Sequence, residues 1–251
     1  MSRHQLRLHL YALITTALLA LTSGCTPKLQ YLAMDPSMTH AAMAQGKVAV
    51  MPVGVSTDAV ADEEVEQMQH RISSAISERR GAIPVLGLSH VQQSLESLPP
   101  DDHPAAIFAA TGSLPAERVK ELSGALGARY VVVASISNYA ASTYRDSERR
   151  KITNSKGKVV GHDNYTMMNH EGSLSGGMTV FDGETGMAVW EGRHTVSDVN
   201  TNEYKDAGNV IEAVVEIAAK ERKTYPPPPR PSELAGHLFV AMVLNWPEAE
   251  D

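Results

Sequence analysis

The sequence predicts an α/β fold of mixed type, a sheet with parallel and antiparallel strands flanked by helices. Three observations predict it. Lys47–Val53 and Tyr130–Ile136 are short apolar runs without alternation, as expected of strands buried on both faces. Between them, apolar residues recur at helical spacing, and strand, helix, strand, helix and strand in that order imply right-handed crossovers and a partly parallel sheet. After Ser137 the chain changes to strands joined by glycine-rich turns, which pair antiparallel.

Each element has its own signal. Val65, Met68, Ile72 and Ile76 mark a helix whose first turn carries Asp62, Glu63 and Glu64 and which stops at Gly81. Ile83–Leu86 reads as a second short strand, and Ser89 as the cap of a helix with Val91, Leu95 and Leu98 on one face, ended by Pro99. Residues 101–114 read as a loop with one helical turn at most. Pro115 opens a helix faced by Val119, Leu122 and Leu126, and Gly127 closes it.

Asn138–Met168 is polar and charged, with a turn at Lys156-Gly157-Lys158, and reads as a long solvated hairpin. Leu174–Phe181 and Met187–Val196 are strands joined by Asp182-Gly183-Glu184-Thr185-Gly186, with a bulge or bend expected at Gly176-Gly177. Asp206–Lys220 carries Val210, Val214 and Ile217 at helical spacing. Tyr225–Pro231 must be extended, and reads as a stiff spacer (225–231). Ser232 then caps a last helix with Leu234, Leu238, Phe239, Met242 and Val243, too apolar to be exposed and expected in a groove on the sheet.

The amino terminus supplies an address. Arg3 and Arg7 precede an apolar run from Leu10 to Leu21, about 12 residues and too short to span a bilayer, and Ser23-Gly24 lead into Cys25, the one cysteine of the chain. This pattern resembles the lipobox of bacterial lipoproteins, with Thr22 where a larger aliphatic residue is usual. The resemblance implies a signal peptide at 1–24, acylation of Cys25 (palmitate among the chains), and a lipidated tether over 25–46 that lifts a single domain, 47–251, off the membrane. Thr26 in place of aspartate implies the periplasmic face of the outer membrane. Loss of the two leader arginines would move the net charge from −7 to −9, which disfavours nucleic acid and makes acyl chains the means of membrane attachment.

Four stretches in this order carry a wider likeness: Cys25 with its leader, Lys47–Val53, Ala125-Leu126-Gly127-Ala128-Arg129-Tyr130-Val131-Val132-Val133, and Val180–Gly192 with Trp190. Together they resemble a superfamily of periplasmic lipoproteins that includes the curli secretion channel subunit and the LpoB-type activators of penicillin-binding proteins. The likeness covers roughly residues 47–199. It implies a fold similar to the amino-terminal domain of TolB, and it carries over no residue except Cys25 as the lipid-bearing position.

No constellation reads as a catalytic, metal or cofactor site. His162, Asp163, His170 and Glu171 would be spread over ~26 Å if the segment is strand. Gly172-Ser173-Leu174-Ser175-Gly176 has leucine where a hydrolase elbow needs serine, and phosphate-loop and dinucleotide fingerprints are missing. The pairs Asp101-Asp102 and Glu63-Glu64 are adjacent in sequence and do not converge on a substrate. The expected function is therefore a lipid-anchored, non-catalytic interaction or assembly module of the cell envelope, serving a peptidoglycan synthase or a secretion complex and open to homo-oligomerisation. The alternative is a subunit of an oligomeric outer-membrane channel, and a cell-envelope hydrolase is the least favoured reading. Arg145, Asp146, Glu148, Arg149, Arg150 and Lys151 would sit on both faces of the hairpin, which argues against a lipid-facing barrel.

Overall fold

In the computed structural model of the chain, residues 26–96, 98–99, 102–206 and 223–249 are described. The leader, Cys25 and the helix expected over Asp206–Lys220, apart from Asp206 itself, lie outside the described residues. The elements run β1 (Tyr31–Met34), α1 (His40–Gln45), β2 (Val48–Val50), β3 (Gly54–Val55), α2 (Asp62–Arg79), α3 (Leu88–Leu95), α4 (Pro104–Thr111), α5 (Ala116–Leu126), β4 (Tyr130–Thr153), β5 (Val159–Asp182), β6 (Ala188–Lys205) and α6 (Pro231–Val243).

One mixed sheet of order β1-β6-β5-β4-β2 holds them, with β3 also on β4. β2 and β3 run parallel to β4, and β4, β5, β6 and β1 are antiparallel in turn. This is the mixed α/β sheet expected. Alternate residues of the strands feed two cores. Val132, Ala134, Ile136, Leu174, Met178, Val180 and Trp190 face α2 and α6. On the opposite face Ala49, Met51, Val131, Val133 and Phe181 meet α3, α4 and α5, and Phe108 sets its edge against Phe181 at 6.4 Å. The unbroken apolar run of β4 is explained by that two-sided burial.

Helix α2 presents Met68, Ile72, Ala75 and Ile76 to the first core, and its buried Gln69 donates to the Val50 carbonyl at 2.9 Å. Helix α6 fills the adjoining groove, with Leu234, Leu238, Phe239, Met242 and Val243 wholly buried. Each such side chain contributes about 1.5–3 kcal/mol. Trp246 follows the helix and meets Trp190 edge-on at 6.2 Å. Arg80, nearly buried, donates to the carbonyls of Leu244 and Trp246 at 3.0 Å each, which holds the end of the helix down. Burial lowers the pKa of this guanidinium, against the pull of Glu248.

Several expectations are corrected. The stretch expected as a tether is part of the fold from Leu29 on: β1 pairs with β6, and Leu29, Met38 and Met43 are buried. Residues 101–114 contain the two-turn helix α4, opened by Pro104 and closed by Gly112 at φ 73°. Ile83–Leu86 makes a single parallel bridge, Val48 with Val85, in place of a strand. Ser89 is not a cap, because α3 starts at Leu88 after Gly87. Nor is Ser232. Its own N–H donates to Glu64 Oε2 at 2.7 Å, so a carboxylate on α2 caps α6. The expected bulge falls opposite Gly176, on β4 at Ser137. In the β5–β6 turn, Gly186 takes the positive φ of 75°, while Gly183 is required by closeness. A Cβ there would lie 1.9 Å from Ser123 Oγ.

Candidate interaction surface

Strands β4 and β5 are 24 residues each and β6 is 18, several times the usual length. At ~3.3 Å per residue each of the longer two extends about 80 Å, far more than the helices cover. Their outer parts form a three-stranded ribbon that leaves the core at Ser137. The register is continuous: Tyr144 pairs with Asn169, Arg149 with Asn164 and Lys151 with His162, and Glu171 pairs with Val199 and Met167 with Glu203. Hairpin and turn are as the sequence predicts, with Gly157 at φ 74°.

The ribbon has two open edges. Among the described residues β4 has no ladder partner on its outer side beyond Ile136, and β6 has none from His194 to Glu203. Such edges present rows of unpaired N–H and C=O groups, ready to take another strand. Charged side chains guard them. Arg150 bonds Glu148 and Glu203 and lies 4.5 Å over the Tyr165 ring. Those two carboxylates raise the pKa of its guanidinium. Lys205 pairs with Asp163 at 2.9 Å.

One face of the ribbon is covered by residues 223–231, the stretch expected as a spacer. It is extended, and it is also a strap. Residues 226–229 are all prolines, which have no N–H, so this part meets the sheet only through carbonyls accepting from side chains, whereas the Thr224 N–H donates to Tyr204 Oη at 3.1 Å. Tyr139 Oη donates to Pro229 O at 3.0 Å and Asn200 Nδ2 to Pro227 O at 2.9 Å. Asn202 Nδ2 donates to Thr224 O at 3.1 Å. His170 Nδ1 lies 3.0 Å from Pro226 O, which can only accept, so that nitrogen carries the proton. Gly172 gives Pro229 room, since a Cβ would lie 3.1 Å from its ring. At the far end Lys223 Nζ and Thr166 Oγ1 both donate to Asp206 Oδ1, at 2.6 and 2.8 Å. The Lys223 bond leads in lowering the pKa of this carboxyl.

The residues weighed for chemistry are thus dispersed. His170 holds the strap and Asp163 pairs with Lys205, while His162 and Glu171 pair with Lys151 and with Ser142 and Val199 across the ladders. Ser173 is a ladder residue opposite Ala140, and Ser175 Oγ bonds Thr195 Oγ1 at 2.9 Å. Among the described residues no group of three His, Cys, Asp or Glu side chains could hold a metal ion, and no helix is long and apolar enough to cross a membrane.

Two of the concavities among the described residues have no counterpart in the sequence reading. One, of about 640 Å³, opens beyond the carboxyl ends of β2 and β3, with Pro52, Val53, Val55, Val65, Leu95 and Ala105 among its apolar lining and Asp62, Gln92 and Glu96 among its polar lining. His103 sits at its margin, and burial, with Arg118 adding to it, depresses the pKa of this imidazole. The other, of about 590 Å³, lies on the sheet face beside the end of α4. Neither has a linear motif, because each is assembled from strands distant in sequence.

No family model and no curated protein matches the chain. Solved structures do. The PelC dodecamer from Paraburkholderia phytofirmans is 14% identical over 88% of this chain and 97% of that one, at a TM-score of 0.37. Lipoprotein GNA1162 from Neisseria meningitidis is 15% identical over 70% and 99%, at 0.39. The LpoB C-terminal domain from Salmonella enterica is 14% identical over 62% and 91%, at 0.36. Each is a remote likeness, and LpoB is also one of the proteins that the sequence resemblance reaches.

Proposed function

We propose that the chain is a lipid-anchored periplasmic protein, attached through Cys25 to the outer membrane, that works as a non-catalytic interaction or assembly module and docks its partner on the β4–β6 ribbon. One observation carries this reading. The ribbon runs far past both cores with two edges that have no strand partner among the described residues, while the strap and the Lys223–Asp206 link fix its shape in advance. A pre-shaped edge can take a partner strand without first being ordered. The partner class is an envelope protein such as a peptidoglycan synthase or a component of a secretion complex. The test is position-dependent photo-cross-linking in cells. A probe at Ser147 on β4 should give one defined adduct and a probe at Glu121 on α5 none. Equal labelling from both positions would refute the reading.

A second reading has its own support. The open edge of β4 from Asn138 to Thr153 carries four basic and two acidic residues, and that of β6 from His194 to Glu203 carries two acidic residues and no Lys or Arg. Opposite balances on the two edges favour head-to-tail association of copies, a heterologous contact that closes into a ring when the rotation allows. Light scattering of the acylated protein in detergent separates the cases: a ring of many copies supports assembly, and a monomer refutes it. The charges at Arg145–Lys151 stand on both faces of β4 and do not suit a lipid-facing barrel.

A further inference from the structure

The concavity beside α4 is a bare patch of sheet, and the register defines its floor as three rows. Thr179 and Glu191, beside the buried Val133, form the first, Ser135, Gly177 and Arg193 the second, and Ser175 and Thr195 the third. Helix α4 stops at Thr111, so Phe108 and Ala109 make one wall and nothing covers the second and third rows. Gln30 reaches in from before β1, with its Oε1 taking a hydrogen bond from Thr195 Oγ1 at 3.2 Å. Ser137, at the bulge, donates to Ser175 O.

Two features single out this patch from a merely solvated face. Thr179 is 4% exposed, faces the concavity, and makes no side-chain hydrogen bond among the described residues. The hydroxyl is not sealed from solvent, so it is open to a partner entering the concavity. The second is charge. The floor's two ionic side chains, Glu191 and Arg193, pair with each other at 2.8 Å, so the patch offers many hydrogen-bonding groups and no net charge. His194, opposite Gly176, also borders the concavity.

We propose that this concavity binds a neutral polyhydroxylated ligand, a segment of oligosaccharide. The hydroxyls of Ser135 and Thr179 can both donate and accept, as a sugar's hydroxyls do, and that of Ser175, whose proton goes to Thr195 Oγ1 while Thr195 donates to Gln30, keeps its acceptor capacity. The Gln30 amide, the Glu191 carboxylate and the Arg193 guanidinium add planar groups, and Phe108 gives an apolar wall for sugar C–H groups. A phosphate or uronate would meet a carboxylate already beside the one guanidinium, and a lipid would strand the hydroxyls. Gly177 at the centre keeps the floor low enough for a ring to lie on it. The inference stands whatever the ribbon binds.

The test exploits the two adjacent glycines. A Cβ at Gly177 meets Arg193 Cγ and Gly192 O at 3.4 Å, an ordinary contact, whereas one at Gly176 would lie 2.5 Å from Ser135 O. Gly177→Val therefore fills the concavity in a strand that favours valine, and Thr179→Val deletes the orphan hydroxyl at nearly constant shape. The full acylated chain, in lauryldimethylamine oxide micelles that carry no sugar headgroup, is titrated calorimetrically with cellohexaose, chitohexaose and, as an anionic probe, hexagalacturonate. The expected result is binding of a neutral probe with Kd below about 1 mM. Gly177→Val then weakens it at least about tenfold and Thr179→Val about fivefold, a loss in the range of one hydrogen bond. Absence of binding by both neutral probes, binding unchanged in Gly177→Val, or tighter binding of hexagalacturonate would each overturn the proposal.

Discussion

The cap of α6 can be tested by two substitutions with opposite expectations. In sequence Ser232 is the residue that reads as the cap, but in the structure it is 1% exposed and its hydroxyl has no hydrogen bond among the described residues. The group that accepts from the helix amide is Glu64 Oε2 at 2.7 Å, half-buried between α2 and α6. Removing a capping acceptor costs about 0.5–2 kcal/mol, and a carboxylate at a helix amino terminus adds about 0.3–1 kcal/mol through the helix dipole. Glu64→Ala should therefore lose about 1–2 kcal/mol. For a folded unit of roughly 200 residues each kcal/mol moves Tm by about 2–4 °C, so Tm should fall by about 3–6 °C. Ser232→Ala removes a hydroxyl that makes no hydrogen bond among the described residues, and Tm should stay within about 1 °C. Thermal unfolding of the full chain followed by circular dichroism reads both. A Ser232→Ala loss equal to that of Glu64→Ala would show that the cap is local after all.

Three further outcomes follow from the packing and the charges. Phe239→Ala empties the centre of the α6 contact and should cost about 3–5 kcal/mol in denaturant unfolding, with little change in the m-value. Gly183→Ala drives a methyl into Ser123 and should destabilise by about 1–3 kcal/mol, and Ser123→Gly in the same chain should restore part of the loss. The third is acid dependence. Because the Asp206 carboxyl titrates below the ordinary value of 3.8, its link to Lys223 stabilises the fold fully above that pH and is lost as pH falls below it. Protection of the Asp206 amide, which donates to Asn164 O at 2.8 Å, should drop on acidification below about pH 4 in the wild type, and Asp206→Asn should show no such step.

Much of the architecture was legible because it repeats at a fixed period. Val65, Met68, Ile72 and Ile76 gave α2 almost to the residue, and the unbroken run at Tyr130 gave a strand buried on both faces. Trp190 was readable as a core residue from its place in the hairpin and is 1% exposed. Helix α4 was missed because Pro-Ala-Ala-Ile-Phe-Ala-Ala-Thr is apolar all round and shows no period; Pro104 and Gly112 were the only signals, and they mark ends without proving a helix between them. Strand β1 was missed because all four of its residues are exposed, so no alternation marks it, and its partner lies more than 150 residues away.

The strap shows the same divide. Its extended shape follows from the proline ring, but the surface it lies on is chosen by Tyr139, His170, Asn200 and Asn202, which belong to three other segments. The candidate surfaces were legible only in outline. The charged hairpin could be read as a projecting feature, since nothing in it could enter a core. That its edges have no strand partner among the described residues depends on how short β1, β2 and β3 are. The hydroxyl-lined concavity depends on where α4 stops, which residue-by-residue reading had not located.

The docking role of the ribbon is tested most directly by shortening it. Arg149 and Asn164 are ladder partners, so replacing residues 150–163 with Asn-Gly rejoins β4 and β5 through a tight turn and leaves both cores, the strap and Asp206 in place. The measurement is the yield in cells of the adduct formed from a photo-cross-linker at Ser147, in the full-length and the shortened chain. A docking edge predicts that the adduct is lost while Tm stays within a few degrees. The same adduct in equal yield from the shortened, folded chain would contradict it.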